Sequence, residues 1–225
     1  MGWAELEALA GAVMTKGVTA LRGLTLRRDR YVPLLQKAVR TQAVSPDRYG
    51  RMVNTLRFGA DLFIDREALR ATLPPRVFRR NYPTAYDNRD AVHKAIVARV
   101  TSGRSFKIGL FKFGDFAQLP VDQAVIFPLG AVPKPHDPTE YRPFGDHTKS
   151  GLNSAARPWK HSLSALDELK RKLTRGRFMR MSDIDGAFTL LPLIPWLWPY
   201  MLFMWFDVDL PLSEQQVANG VYCHL

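Results

Sequence analysis

Between Leu190 and Phe206 the chain runs seventeen residues without a charge, and Pro192, Pro195 and Pro199 interrupt the run. A stretch this apolar demands burial. Each proline removes a helical hydrogen bond, so one continuous helix is excluded. The run is also at the short limit for crossing a bilayer. Buried strands joined by a turn are the expectation here, and no membrane partner is expected.

The chain as a whole is basic. It carries 32 Lys and Arg against 21 Asp and Glu, a formal net charge of +11 over 225 residues. That excess suits polyanions, nucleic acid above all; an anionic membrane surface or a merely solubilising surface are the other readings. Hydrophobic and charged contents of 46% and 24% exclude a disordered chain. Cys223 is the single cysteine, which excludes an internal disulfide and a Cys-based zinc site. It points to a reducing, intracellular compartment without choosing between nucleus and cytoplasm. The five histidines have no His-x-x-x-His spacing, so transition-metal chemistry is not expected. The start, Met1-Gly-Trp-Ala-Glu, lacks the basic opening of a signal peptide.

Periodicity divides the chain. Leu6, Leu9, Ala10 and Val13, then Leu34, Leu35, Ala38 and Val39, fall at helical spacing. Ser45-Pro-Asp predicts the cap of another helix through Tyr49, Met52, Val53 and Leu56. Leu73-Pro-Pro-Arg is a break, and 81–88 reads as a loop. Residues 1–85 are therefore expected to be an N-terminal helical extension, with the main domain over 86–225. A basic helix over 89–100 follows, stopped by Ser102-Gly103. Residues 104–123 read as loop. Short strands are predicted at 124–127 and 129–132, with Tyr141 to Asp146 as the return strand of a hairpin. A leucine-bearing helix is predicted from Ser164 to Gly176, then a strand that delivers Asp183. The fold class is α+β.

Two clusters carry chemistry. One is Lys134-Pro-His-Asp-Pro-Thr-Glu-Tyr-Arg142, a turn that mounts two cations suited to a polyphosphate. The other is Asp183-Ile-Asp185, carboxylates that face one way on a strand and suit a hard divalent cation. Taken alone, Asp-x-Asp also fits a glycosyltransferase, a haloacid dehalogenase phosphatase or a solvated surface turn. Segment 157–180 holds eight basic residues, among them Arg157, Lys160, Lys170, Arg171, Lys172 and Arg175, against Asp167 and Glu168. Such density suits a phosphate backbone, or else the exposed side of the leucine-bearing helix.

Asp183-x-x-x-Ala187-Phe188-x-x-x-Pro192-Leu193 resembles the first palm motif of reverse transcriptases. Leu129-Gly-Ala-Val-Pro-Lys134, the turn, Tyr141-Arg142-Pro-Phe-Gly-Asp146 and Leu152-Asn153 resemble the fingers of the same enzymes, most closely those of gypsy- and DIRS-type retroelements. The resemblance covers roughly 89–225. It implies a partial right-hand polymerase fold, fingers plus incomplete palm. It implies that Asp183 and the carbonyl of Ile184 bind Mg2+ or Mn2+. Lys134 and Arg142 would hold the triphosphate of a deoxynucleoside triphosphate, and Phe188 would be the steric gate at the sugar. Outside the resemblance, Phe188 reads as a core aromatic and Lys134 as a solvated turn lysine.

The implied partners are an RNA template and a DNA primer, and the implied chemistry is RNA-directed DNA synthesis by two metals. The Tyr-x-Asp-Asp motif that supplies the second acidic cluster in that family is missing from this sequence. Asp207-Val-Asp209 follows Asp183 too closely to replace it. The expectation is a polymerase portion, truncated before that motif and inactive by itself. The alternative is a non-catalytic nucleic-acid-binding remnant of a retroelement.

Overall fold

A computed structural model describes residues 3–16, 33, 36–42, 45–62, 64–110, 121–156, 192–215 and 217–224. Its architecture is mixed α and β. Helix α1 (Trp3–Lys16) is followed, after a helical segment at 36–40, by α2 (Pro46–Phe58) and α3 (Arg66–Thr72). Strand β1 (Arg76–Phe78), short α4 (Pro83–Asp87), α5 (Arg89–Thr101) and strand β2 (Ser105–Leu110) come next. Strands β3 (Ala124–Ile126), β4 (Leu129–Lys134), β5 (Asp137–Gly145), β6 (Leu202–Trp205) and β7 (Gly220–His224) complete the order.

Local chemistry sets these limits. Ser45 accepts the Arg48 N–H at 3.3 Å, and Pro46 opens α2. Asp65 accepts from Glu67 N and Ala68 N and so caps α3. Both caps satisfy amides that a helix start leaves unpaired. Gly59 ends α2 at φ +101 and ψ 167, a conformation open to glycine alone. A methyl group there would lie 2.6 Å from the Leu193 carbonyl carbon. The close approach lets Ala60 N donate to Pro192 O at 2.8 Å and Ile194 N donate to Ala60 O at 2.9 Å.

The main sheet has the order β1-β3-β6-β7-β2. The β1–β3 and β3–β6 pairs are parallel; β6–β7 and β7–β2 are antiparallel. In β6 and β7 alternation sends the two faces of the strand into separate cores. On one side Leu202, Val221 and Cys223 pack with Leu6, Val13, Leu69, Leu197 and Trp198. On the other, Phe203, Trp205 and Tyr222 pack with Ala85, Val92, Ile96 and Phe127. The sheet therefore lies between two apolar layers, and the first unites residues from both ends of the chain.

From Pro192 onward the uncharged run forms no continuous helix, but it has one strand where two joined by a turn were expected. A 3-10 helix, Pro195–Tyr200, leads into buried β6, and Trp198 Nε1 donates to Leu193 O at 2.9 Å. Among the described residues no helix is long and apolar enough to cross a membrane. Two local expectations change. Segment 81–88 contains α4, because Pro83 fits a first helical turn. Residues 105–110, read as loop, form β2 against β7. The predicted helix after Ser164 and the strand before Asp183 lie outside the described residues.

Candidate nucleotide and nucleic-acid interface

Strands β4 and β5 form a separate two-stranded hairpin. Its register opposes Leu129 to Gly145, Gly130 to Phe144 and Val132 to Arg142. Opposed residues share a face. Leu129, Ala131 and Tyr141 thus turn inward to the second core. Val132, Arg142 and Phe144 turn outward, and Arg142 is exposed. A register shift falls between Pro133 and Lys134. Lys134 nevertheless reaches the outward face, where its ammonium ion-pairs with Glu140. Two residues of strand separate the position opposite Arg142 from Lys134, roughly 6–7 Å. The two cations therefore sit within reach of one polyphosphate.

Glu140 competes for that role, but the pair is open to water: the side chains of Lys134 and Glu140 are 49% and 58% exposed. An ion pair this exposed is worth about 0–1 kcal/mol, so a more highly charged ligand can displace Glu140. The inward side of the hairpin offers a different environment. A cleft of about 370 Å³ lies there, between Tyr86, Arg89, Thr139 and Tyr141, and it also contains Asp87 and Asp90. The two carboxylates make it a poor seat for phosphates.

Below the hairpin, Asp146 ties the turn down. Its Oδ2 accepts the Tyr82 hydroxyl at 2.6 Å, and its Oδ1 accepts Lys149 N at 2.8 Å. The Tyr82 hydroxyl, and then the Lys149 N–H, hold the Asp146 carboxyl below its usual range. This agrees with a structural role for Asp146.

Asp207 and Asp209, just past β6, are engaged elsewhere. Lys107 of β2 ion-pairs with both. Asp207 Oδ1 also accepts Asp209 N at 3.0 Å. Gln215 clamps the Asp207 backbone, its Oε1 accepting N–H and its Nε2 donating to the carbonyl, each at 2.6 Å. Burial pushes the Asp207 carboxyl up, but the Lys107 ammonium and the Asp209 N–H outweigh it, and the net shift is downward. Burial likewise opposes the Lys107 charge, and hydrogen bonds to Asp207 and Asp209 more than restore it. The sequence reading missed Lys107. The alternation Phe106-Lys107-Ile108, apolar to either side of the lysine, was the available signal.

Asp183, Ile184 and Phe188 lie outside the described residues, as do Arg157, Lys160, Lys170, Arg171, Lys172 and Arg175. Among the described residues no three His, Cys, Asp or Glu side chains gather as a metal site. The sequence matches no protein-family model and no curated protein.

Proposed function

We propose that roughly residues 89–225 form the fingers and first palm part of a reverse transcriptase-like polymerase of a gypsy- or DIRS-type retroelement. The observation that carries this reading is the β4–β5 hairpin, with Lys134 and Arg142 on its outward, solvent-facing side. Arg142 grips phosphate oxygens in a fork and Lys134 acts as a mobile point charge. The sequence around Asp183 supports the remainder. One carboxylate and one backbone carbonyl, at Asp183 and Ile184, fit a single Mg2+ or Mn2+ that keeps waters and takes its other ligands from nucleotide phosphates. Such an ion neutralises charge that develops on the phosphates during transfer. A second ion needs further acids, and Asp207 and Asp209 already serve Lys107. These residues therefore bind a deoxynucleoside triphosphate and a template–primer without extending the primer.

The same engagement of Asp207 and Asp209 favours the second reading, a non-catalytic nucleic-acid-binding remnant. Titration calorimetry with dTTP and Mg2+, run beside primer extension on an RNA template, separates the two. The polymerase reading expects dTTP binding that weakens about tenfold or more in Lys134→Ala and in Arg142→Ala, as charge-assisted hydrogen bonds of about 1.5–3 kcal/mol require. Salt-sensitive nucleic-acid binding with no dTTP binding supports the remnant. Primer extension by this chain alone overturns the argument about the second ion.

A further inference from the structure

Four basic side chains meet where the end of α5, the start of β2, the end of β7 and the turn after β5 come together. Arg99 lies in the last turn of α5, and its carbonyl accepts the Arg104 N–H at 2.8 Å. Arg104 leads into Ser105, which the β2–β7 register sets opposite His224, with Ser105 Oγ 3.4 Å from His224 Nδ1. His224 N donates to Met201 O at 3.0 Å, and Phe127 N donates to the adjacent Leu202 O at 2.9 Å. The His147 ring packs on that Phe127 ring, 4.4 Å from centre to centre. Arg99, Arg104, His147 and His224 are each half-buried. Among the described residues neither guanidinium makes an ion pair or a hydrogen bond. His147 Nδ1 is buried without a partner. Asp146, the acid beside His147, is already held by the Tyr82 hydroxyl and Lys149 N. Burial, and then Arg104, hold the Arg99 guanidinium below its usual range. Burial also holds His147 down, against the pull of Asp146.

We propose that Arg99, Arg104, His147 and His224 form a binding site for a small tetrahedral oxyanion of the phosphate and sulfate class. Nothing in this site depends on Asp183, Lys134 or Arg142. The negative end of the α5 dipole accounts for one cation in its last turn. It leaves Arg104 and the two rings with no counter-charge. The cluster is rich in donors and poor in acceptors: each guanidinium carries a fork of N–H groups, and only Ser105 Oγ and backbone carbonyls stand near them. An oxyanion supplies both the missing acceptors and the missing charge. A small ion fits better than a nucleic-acid strand. A free dianion offers all its oxygens to two half-buried forks at once, whereas a phosphodiester brings one charge and two free oxygens. Bound there, the ion ties α5, the β2–β7 pair and the turn after β5 together, and its charge favours the protonated rings of His147 and His224.

The test titrates sodium sulfate, and separately inorganic phosphate, into the full chain at ionic strength held constant with chloride. Nucleotide and divalent metal are left out, so the outcome is independent of triphosphate binding. Both anions are kept dilute, below the range in which sulfate stabilises proteins by exclusion from their surface. The thermal midpoint should rise with either anion and saturate. Arg99→Gln and Arg104→Gln should each weaken the anion by about tenfold or more, the loss of a hydrogen bond to a charged group. Arg57→Gln, on exposed α2, should leave the response unchanged. In proton NMR the titration midpoint of His224 should move up when sulfate is bound. Circular dichroism of each variant in chloride confirms that it is folded, and Arg104→Gln serves if Arg99→Gln does not fold. A labelled oligo(dT) followed by fluorescence anisotropy should bind Arg104→Gln as it binds the parent. A response no greater than that to chloride, an equal response in Arg104→Gln and the parent, or a His224 midpoint unmoved by sulfate would each overturn the site. Loss of oligo(dT) binding in Arg104→Gln as large as the loss of sulfate would overturn it too, by making the arginines nucleic-acid contacts.

Discussion

Lys107→Met is the most informative single change in the described fold. The methionine keeps the apolar stem along β2 and removes the ammonium that serves two carboxylates. Breaking a fully buried ion pair costs about 3–5 kcal/mol, and three features reduce that figure here. Lys107 is 21% exposed at the side chain, Asp209 is 70% exposed, and Asp207 Oδ1 keeps the Asp209 N–H. Asp207 itself, 6% exposed, bears the loss. A destabilisation of about 2 kcal/mol at pH 7 follows for such a partly shielded pair. The pH dependence has a fixed sign. Asp207 is depressed below 3.8 in the folded chain, so its contribution is present above that value and lost as pH falls through the folded value. Lys107 is raised above 10.5, so its contribution is present below 10.5 and lost as pH rises beyond the raised value. Without Lys107 the buried carboxyl moves up and protonates earlier. Urea denaturation of both proteins at pH 7 and pH 4.5 should therefore show a deficit that shrinks on acidification. Adding Asp207→Asn should recover part of it. A deficit under about 0.5 kcal/mol, or one unchanged with pH, would refute the view that Lys107 neutralises Asp207.

Three further outcomes are expected. Gly59→Ala should destabilise the chain by at least about 1–3 kcal/mol, since strain at φ +101 adds to overlap with the Leu193 backbone; a thermal midpoint equal to that of the parent would contradict this. Glu140→Gln should free Lys134 and tighten dTTP binding by up to about fivefold, the reach of a 1 kcal/mol exposed pair, as titration calorimetry would register. Burial, then Arg99 and His147, push His224 down to about 4, so its neutral form is the folded one. Stability should fall as pH drops from 6.5 toward 4, and His224→Gln should flatten that part of the profile in thermal melts.

What the sequence disclosed depended on the range of the forces involved. Local signals read well. Ser45-Pro announced the cap of α2, and Ser102-Gly103 announced the end of α5. The short apolar run at 129–132 and the proline-rich turn after it announced the hairpin, because both signals are local. Short elements read poorly. Strand β2 hid among the phenylalanines and glycines that follow it, and its partner β7 lies more than a hundred residues away. The Lys107 contact with Asp207 and Asp209 hid for the same reason, since only sheet pairing brings the three together. Lys134 and Arg142 could be named from residue type and turn, but their common face required the register of β4 on β5. The contacts of Tyr82 with Phe144 and Lys149 were invisible in one dimension because Tyr82 comes from a distant segment of the chain.

The central claim is that Asp183 and the hairpin cations act on one ligand. A double-mutant cycle on dTTP binding in Mn2+ tests it most directly, comparing Asp183→Asn, Arg142→Ala and the double variant by titration calorimetry. The account predicts that each single change weakens binding about tenfold or more, with a coupling above about 0.5 kcal/mol between them. Affinity unchanged in Asp183→Asn, or losses that simply add, would contradict it.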